Sequence, residues 1–136
     1  MEPKTPSIEF HLDGPSGVPP YLQLVQQVKQ ALRLGFLQPG DQLPTVREVV
    51  SHLAINPNTV FKAYRQLEME RLVSSRPGLG TFILRGLTDS SLASHEALRA
   101  RLVAWLREAT AAGLDEESIQ ALFVDALRHT HEEKSE

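Results

Sequence analysis

The sequence predicts a mostly α-helical fold with one small β-hairpin, an α+β arrangement. Three observations carry this expectation. Apolar residues recur at the helical spacing of three and four positions in five segments of the chain. Two of those segments open with residues that are typical of helix N-caps. Two short β-prone runs flank a glycine-containing tip, which indicates a hairpin.

Length and composition limit the class of protein. The chain has 136 residues, 41% of them hydrophobic, which suits one domain or a small domain with an appendage. It has no cysteine, which excludes disulfide scaffolds, cysteine-ligated zinc and cysteine nucleophiles. No apolar run approaches the ~20 residues of a membrane span, and the first residues do not form a secretion signal. We therefore expect a soluble, cytoplasmic protein with no membrane partner.

Charge is distributed unevenly along the chain, although the net charge is only −3. Residues 21–85 hold eight basic and four acidic side chains, which gives a net charge of +4. Residues 86–136 hold five basic and ten acidic side chains, which gives −5. The basic middle segment is therefore the part of the chain that favours nucleic acid as a partner.

The first part of the chain predicts a short strand and a helix. Apolar side chains alternate over residues 8–12, which is typical of a strand. Helical spacing begins at Tyr21 and ends near Gly35. Residues 38–41 have the composition of a tight turn.

Two short helices follow, each with its own start signal. Thr45 and Glu48 form a capping box at the start of the first helix. Asn56 is a good N-cap for the second helix, Pro57 suits its first position, and the helix is expected to end near Arg71. Only residues 54–56 separate the two helices, which is the spacing of a helix-turn-helix.

A hairpin and two further helices complete the predicted architecture. Residues 72–75 and 81–84 form the two arms of the hairpin, and a hairpin directly after a helix-turn-helix is a wing. We therefore assign residues 1–85 to a winged helix-turn-helix domain. Residues 86–136 are expected to form a linker and a two-helix dimerisation region.

Several motifs in the first domain stand at recognisable spacings. They are Leu43-Pro44-Thr45-Val46-Arg47-Glu48, Asn56-Pro57-Asn58-Thr59-Val60, Lys62-Ala63-Tyr64, Leu67-Glu68 and Gly78-Leu79-Gly80-Thr81-Phe82. Together they resemble the DNA-binding domain of the GntR family of bacterial transcription regulators, over roughly residues 8–84. The short two-helix tail looks like that of the YtrA-type subfamily. The resemblance implies a DNA-binding regulator, expected to be a repressor that binds an inverted-repeat operator as a homodimer.

Three positions depart from the pattern of that family. Ala54 stands where the family commonly has glycine in the turn, and Arg71 stands where it often has glycine after the second helix. Phe61 stands where a small residue is common before Lys62.

The candidate DNA-binding residues lie on the two short helices and on the wing. If Val60, Tyr64 and Leu67 face inward, amide and cationic side chains face outward, where they can reach base edges and phosphates. Solvated helix faces are commonly polar as well, but the capped helix before this one and the wing after it favour DNA. Arg47 joins the set by resemblance. The set is Thr45, Arg47, Asn56, Asn58, Thr59, Lys62, Arg65, Arg76, Gly78 and Gly80.

The last two helices are apolar over more than one face, so they need cover on more than one side. A symmetric partner is the economical cover, and folding back onto the winged helix of the same chain is the alternative. Two helices offer little volume for a ligand pocket of ~300–1,000 Å³, so an effector would bind at the dimer interface or be absent. The candidate dimerisation residues are Leu98, Leu102, Trp105, Leu106, Ile119, Leu122, Phe123 and Leu127.

Other function classes fit the sequence less well. A winged helix can also serve as a protein–protein interaction module, but the +4 middle segment favours DNA. His129 and His131 are two residues apart and point to different faces of a helix, so they cannot chelate a metal together. No acid–base pair or nucleophile motif indicates an enzyme, and we expect neither a metal nor another cofactor.

Overall fold

The computed structural model describes residues 8–87 and 92–134, and it divides the chain into two compact units, Met1–Leu92 and Ala93–Glu136. The first unit contains a short 3₁₀ turn at Gly14–Ser16, followed by α1 (Pro20–Leu34), α2 (Val46–Leu53), α3 (Pro57–Met69), β1 (Val73–Arg76) and β2 (Gly80–Ile83). The second unit contains α4 (Leu92–Ala111) and α5 (Glu116–Lys134). This order confirms the predicted mostly helical fold with a two-stranded wing.

One hydrophobic core holds the first unit together. Leu24, Val28 and Leu32 follow one another at four-residue spacing along α1 and form its buried stripe. The predicted inward face of α3 is confirmed, because Val60, Ala63, Tyr64 and Leu67 are all buried. Fully burying a leucine or valine side chain contributes ~1.5–3 kcal/mol. The core therefore fixes the angle at which α3 presents its other face.

The strand expected over residues 8–12 is not formed, and that prediction was wrong. Glutamine side chains of α1 satisfy the backbone of this segment instead of a neighbouring strand. Gln27 accepts from the His11 amide at 3.1 Å and donates to the His11 carbonyl at 2.7 Å, while Gln23 accepts from the Asp13 amide at 2.8 Å. The alternating pattern of the sequence arises because Phe10 is buried in the core while the adjacent Glu9 and His11 are exposed.

The wing is an antiparallel hairpin that also pairs with the loop before α2. Val73 lies opposite Ile83, and Arg76 lies opposite Gly80. On the other side of β2, the Leu43 amide donates to the Thr81 carbonyl at 2.9 Å, and the Ile83 amide donates to the Asp41 carbonyl at 2.8 Å. A two-stranded hairpin alone is marginally stable, so these bonds to the loop, together with the burial of Val73 and Ile83 in the core, hold the wing in place.

The second unit consists of two helices separated by a short turn. Gly113 has φ +95 in this turn, and Asp115 accepts from the Ser118 amide at 2.7 Å to cap α5. Hydrogen bonds from the side chain and the backbone amide of Ser118 keep the pKa of Asp115 below its ordinary value. α4 and α5 lack the close packing that joins α1 to α3. Ala109 is buried and Trp105, Leu106 and Ile119 are half-buried, but several leucines of both helices stay exposed.

Within the described ranges, no helix combines the length and the apolarity that crossing a bilayer requires.

Candidate nucleic-acid interface

The caps of α2 and α3 set the geometry of the helix-turn-helix. Thr45 Oγ1 accepts from the Glu48 amide at 3.1 Å, and Glu48 Oε1 accepts from the Thr45 amide at 3.2 Å, which completes the predicted capping box. Asn56 Oδ1 accepts from the Asn58 amide at 2.9 Å and caps α3. Between the two caps, Ala54 adopts the left-handed conformation with φ 54 and ψ 45. This residue makes the turn that reverses the chain.

A buried hydrogen bond locks α3 to the start of α2. The Tyr64 hydroxyl donates to the Pro44 carbonyl at 2.6 Å. Burial raises the pKa of Tyr64, and the nearby Glu48 carboxylate raises it further, so the hydroxyl stays protonated and keeps donating. The bond joins α3 to the residue that precedes the Thr45 cap.

The exposed face of α3 carries amide and cationic side chains, as predicted. Asn58, Lys62 and Arg65 are exposed at successive turns, while Thr59 is half-buried at the edge of the face. These residues lie in the first nine positions of the helix. Such side chains can donate to base-edge acceptors in a major groove.

Tyr21 is a contributor to this face that the sequence reasoning missed. The ammonium group of Lys62 lies 4.1 Å from the centroid of the Tyr21 ring, which is a cation–π contact. Tyr21 is the second residue of α1 and is half-buried against the core. The contact holds the long Lys62 side chain at one edge of the exposed face. The aromatic signal was present in the sequence, but its distance of 41 positions from Lys62 hid the pairing.

The opposite end of α3 is acidic. Glu70 receives the Lys29 ammonium at 2.6 Å, with both side chains about one-third exposed, and Gln66 donates to the same carboxylate at 3.1 Å. The Lys29 bond is the main reason that the pKa of Glu70 lies below its ordinary value. Glu68 accepts from the Ser75 hydroxyl at 3.2 Å. The two cationic residues of α3, Lys62 and Arg65, therefore lie before this acidic end.

Arg47 and the two capping residues add donors at the starts of α2 and α3. Arg47 is exposed at the second position of α2, and among the described residues it forms no ion pair. The capping roles of Thr45 and Asn56 occupy an acceptor oxygen in each side chain. The Thr45 hydroxyl proton and the Asn56 amide protons are donors that the caps do not use.

Near the tip of the wing, one cationic side chain lies over an aromatic ring. The Arg76 guanidinium carbon lies 5.0 Å from the centroid of the Phe82 ring. Gly78 has φ +77, and a Cβ there would meet open space. At Gly80 the backbone supplies the reason for glycine, since φ is +127, and a Cβ there would also displace the side-chain nitrogen of Gln42, which would lie 2.5 Å away. That Gln42 nitrogen donates to the Leu79 carbonyl at 3.1 Å.

The candidate dimerisation residues are mostly exposed. Leu98 is 61% exposed on α4 and Phe123 is 47% exposed on α5, with Leu102, Leu122 and Leu127 exposed as well. Trp105, Leu106 and Ile119 are half-buried. Within residues 8–87 and 92–134, no three metal-ligating side chains lie close enough to hold an ion.

This geometry defines a class of protein: a capped helix-turn-helix with a cationic recognition helix and a cationic wing is a DNA-binding transcription regulator of the winged-helix type. Residues 20–83 match the family described as bacterial regulatory proteins, gntR family. The chain belongs to the GntR family.

Two relatives and one solved structure bear out this assignment. The chain is 44% identical over 74 residues to the HTH-type transcriptional repressor YtrA of Bacillus subtilis, a match that covers 54% of this chain but only 57% of that protein. It is 43% identical over 86 residues to the HTH-type transcriptional regulator Rv1152 of Mycobacterium tuberculosis, covering 62% and 71%. YtrA from Sulfolobus acidocaldarius, a GntR-family transcription factor, superposes with TM-score 0.51 at 25% identity, covering 90% of this chain and 99% of that one. The predicted resemblance to the YtrA type is thus confirmed.

Proposed function

We propose that this regulator binds an inverted-repeat operator as a homodimer and represses transcription from it. The observation that carries the proposal is the exposed face of α3. Asn58, Lys62 and Arg65 are exposed on this face, while the opposite face of the helix is buried in the core. The proposed mode of binding places the first nine residues of α3 along the major groove. Its acidic end, at Glu68 and Glu70, then points away from the phosphates.

The contacts divide into two kinds. We assign base-edge contacts to Asn58, Lys62 and Arg65, because amides and cations can donate to purine acceptors. Phosphate contacts are assigned to the donors around the helix starts and to the wing, which position the protein without reading sequence. These residues are Thr45, Arg47, Asn56, Thr59 and Arg76, with the backbone of Gly78 and Gly80.

Dimerisation is assigned to the second unit. Leucines on both helices and Phe123 on α5 stay exposed, and a second copy of the same surface supplies cover for them. Two linked half-site contacts then raise affinity through effective concentration. The repressor name of the Bacillus relative supports repression as the outcome, and the cytoplasm is the proposed site of action because operators lie there.

A binding experiment on two exposed cations tests the proposal. Selection of duplexes from a random pool by the full-length protein yields an operator, against which Arg47→Ala and Lys62→Ala are measured. Lys62→Ala is expected to lose about 1–3 kcal/mol on that operator and little on unrelated DNA. Arg47→Ala is expected to weaken both and to flatten the salt dependence, because it touches phosphate.

Arg33→Ala is the matched control, since it removes one exposed positive charge at the far end of α1. Arg33→Ala should bind the operator as wild type does, apart from the small loss of affinity that follows from removing any one positive charge. Equal operator affinity in all four proteins would refute the proposed interface, and a pool that enriches no sequence would refute operator binding itself.

A further inference from the structure

Phe61 is an aromatic side chain that the folded unit leaves half outside. It is 50% exposed on α3. By contrast, the apolar residues on the inward face of the same helix are buried, namely Val60, Ala63, Tyr64 and Leu67. No aromatic or cation–π partner is formed by Phe61 among the described residues. Its ring contributes to the surface and not to the core.

The position of Phe61 places that ring within the proposed reading face. Asn58 lies three residues before it and Arg65 lies four residues after it, so the three side chains are neighbours on one side of the helix. Lys62 is held toward Tyr21 at the other edge. Phe61 is therefore an apolar group flanked by donors.

The polarity of α3 also limits what Phe61 can meet. Phe61 is the fifth residue of the helix and lies in its N-terminal half, directly before Lys62. In helix-turn-helix proteins the N-terminal residues of the recognition helix contact base edges. We therefore expect the Phe61 ring to face the bases in a DNA groove, because Lys62 and Arg65 beside the ring favour a polyanion.

We propose that Phe61 reads the C5-methyl group of a thymine in the major groove of each operator half-site. The inference rests on the proposed operator binding and names one base that the site selects. Thymine is the base whose major-groove edge carries a methyl group, and phenylalanine is among the side chains that contact it. Where the family commonly has a small residue, this chain gains an apolar contact that distinguishes T from C.

The test removes the methyl group from the DNA and the ring from the protein. Each thymine of the selected operator is replaced in turn by deoxyuridine, which keeps the base pair and lacks only the C5-methyl. Wild type is expected to lose about fourfold in affinity at one thymine of each half-site, the change that corresponds to ~0.8 kcal/mol for one buried methyl group. Phe61→Ala is expected to bind the thymine and uracil duplexes equally at that position.

Phe36→Ala is the matched control, since Phe36 is 43% exposed and lies beyond the end of α1, outside the proposed interface. It should discriminate between the two duplexes as wild type does. An operator with no methyl-sensitive thymine overturns this inference alone, and so does a Phe61→Ala protein that still discriminates. A pool that enriches no operator overturns the proposed function and this inference together.

Discussion

At the scale of single residues, a long cationic side chain is useful for recognition only if its position is restricted. Lysine loses substantial rotamer entropy when it is fixed, so a free lysine makes a weak specific contact. Here the Tyr21 ring lies under the Lys62 ammonium and reduces the freedom that DNA binding would otherwise have to remove. Phe82 plays the same part for Arg76 in the wing.

This arrangement predicts that Tyr21 affects DNA affinity without touching DNA. Tyr21→Leu keeps an apolar group against the core but removes the ring, so operator affinity should fall about two- to fivefold, the equivalent of 0.5–1 kcal/mol for an exposed cation–π contact. Tyr21→Phe keeps the ring and should restore the affinity. Titration of the operator with both variants measures this, and equal binding by Leu and Phe variants would contradict it.

Two residues without glycine's freedom occupy left-handed backbone. Ala54 has φ 54 in the turn of the helix-turn-helix, and Arg71 has φ 59 after α3. They are the positions where the sequence departs from the glycines of its family. A residue with a side chain loses roughly 1–2 kcal/mol of folding stability in this region, and glycine avoids that cost. Glycine also makes the unfolded chain more flexible, which cancels part of this gain in stability.

Ala54→Gly is therefore expected to raise the free energy of unfolding by roughly 0.5–1 kcal/mol, in urea denaturation of the full-length protein. Gly17→Ala is the matched reverse change, since Gly17 has φ +77 and a Cβ there would meet open space. It should lower the free energy of unfolding by a similar amount. A decrease in stability for Ala54→Gly would contradict the explanation.

At the scale of elements, α1 serves as the support of the site. It packs along α3, provides the ring for Lys62, and ties down the N-terminal segment through Gln23 and Gln27. It also holds the acidic end of α3 through the bond from Lys29 to Glu70. The recognition helix is thus fixed at both ends by one neighbour.

The bond from Lys29 to Glu70 predicts a pH dependence. Because Lys29 lowers the pKa of Glu70 in the folded protein, the pair stabilises the fold above the ordinary carboxyl pKa and loses that effect as pH falls through the lowered value. Both side chains are about one-third exposed, so we expect only about 0.5 kcal/mol. Glu70→Gln should cost this amount at pH 7 and nothing near pH 2 in denaturation measurements. A cost that is independent of pH would exclude the ion pair as its cause.

At the scale of the whole molecule, the two units differ in how completely they bury their apolar residues. The first has a closed core, whereas the second exposes leucines and Phe123 on both of its helices. Contiguous exposed apolar surface on a small protein marks an interaction site. In the proposed dimer, the second unit completes its core with a second chain.

The dimer is tested by placing a charge on that surface. Phe123→Glu is expected to convert the protein to a monomer in sedimentation at micromolar concentration, because an unpaired carboxylate is costly to bury. Operator affinity should then fall by at least tenfold, since the half-sites are no longer linked. Gln120→Glu adds the same charge at an exposed polar position of α5 and should leave the dimer intact. Wild type that sediments as a monomer would refute the assignment.

Local patterns determined most of the architecture. Capping residues at Thr45 and Asn56, helical spacing in α1 and α3, and the glycine-containing tip predict the elements because each signal acts within a few residues of chain. The outward direction of Asn58, Lys62 and Arg65 follows from the buried stripe of the same helix. These parts of the candidate site were predictable from sequence for that reason.

Tertiary structure alone decided which distant side chains meet. The sequence could not show that Gln27 would take the place of a strand for residues 8–12, that Tyr21 would lie under Lys62, or that Gln42 would bond to the wing at Leu79. Likewise, helical spacing predicted apolar faces on α4 and α5, but only the fold shows which of these residues stay exposed and which, such as Ala109, are buried. Such contacts depend on the relative placement of packed elements, which the core sets through many weak apolar contacts and no local motif encodes.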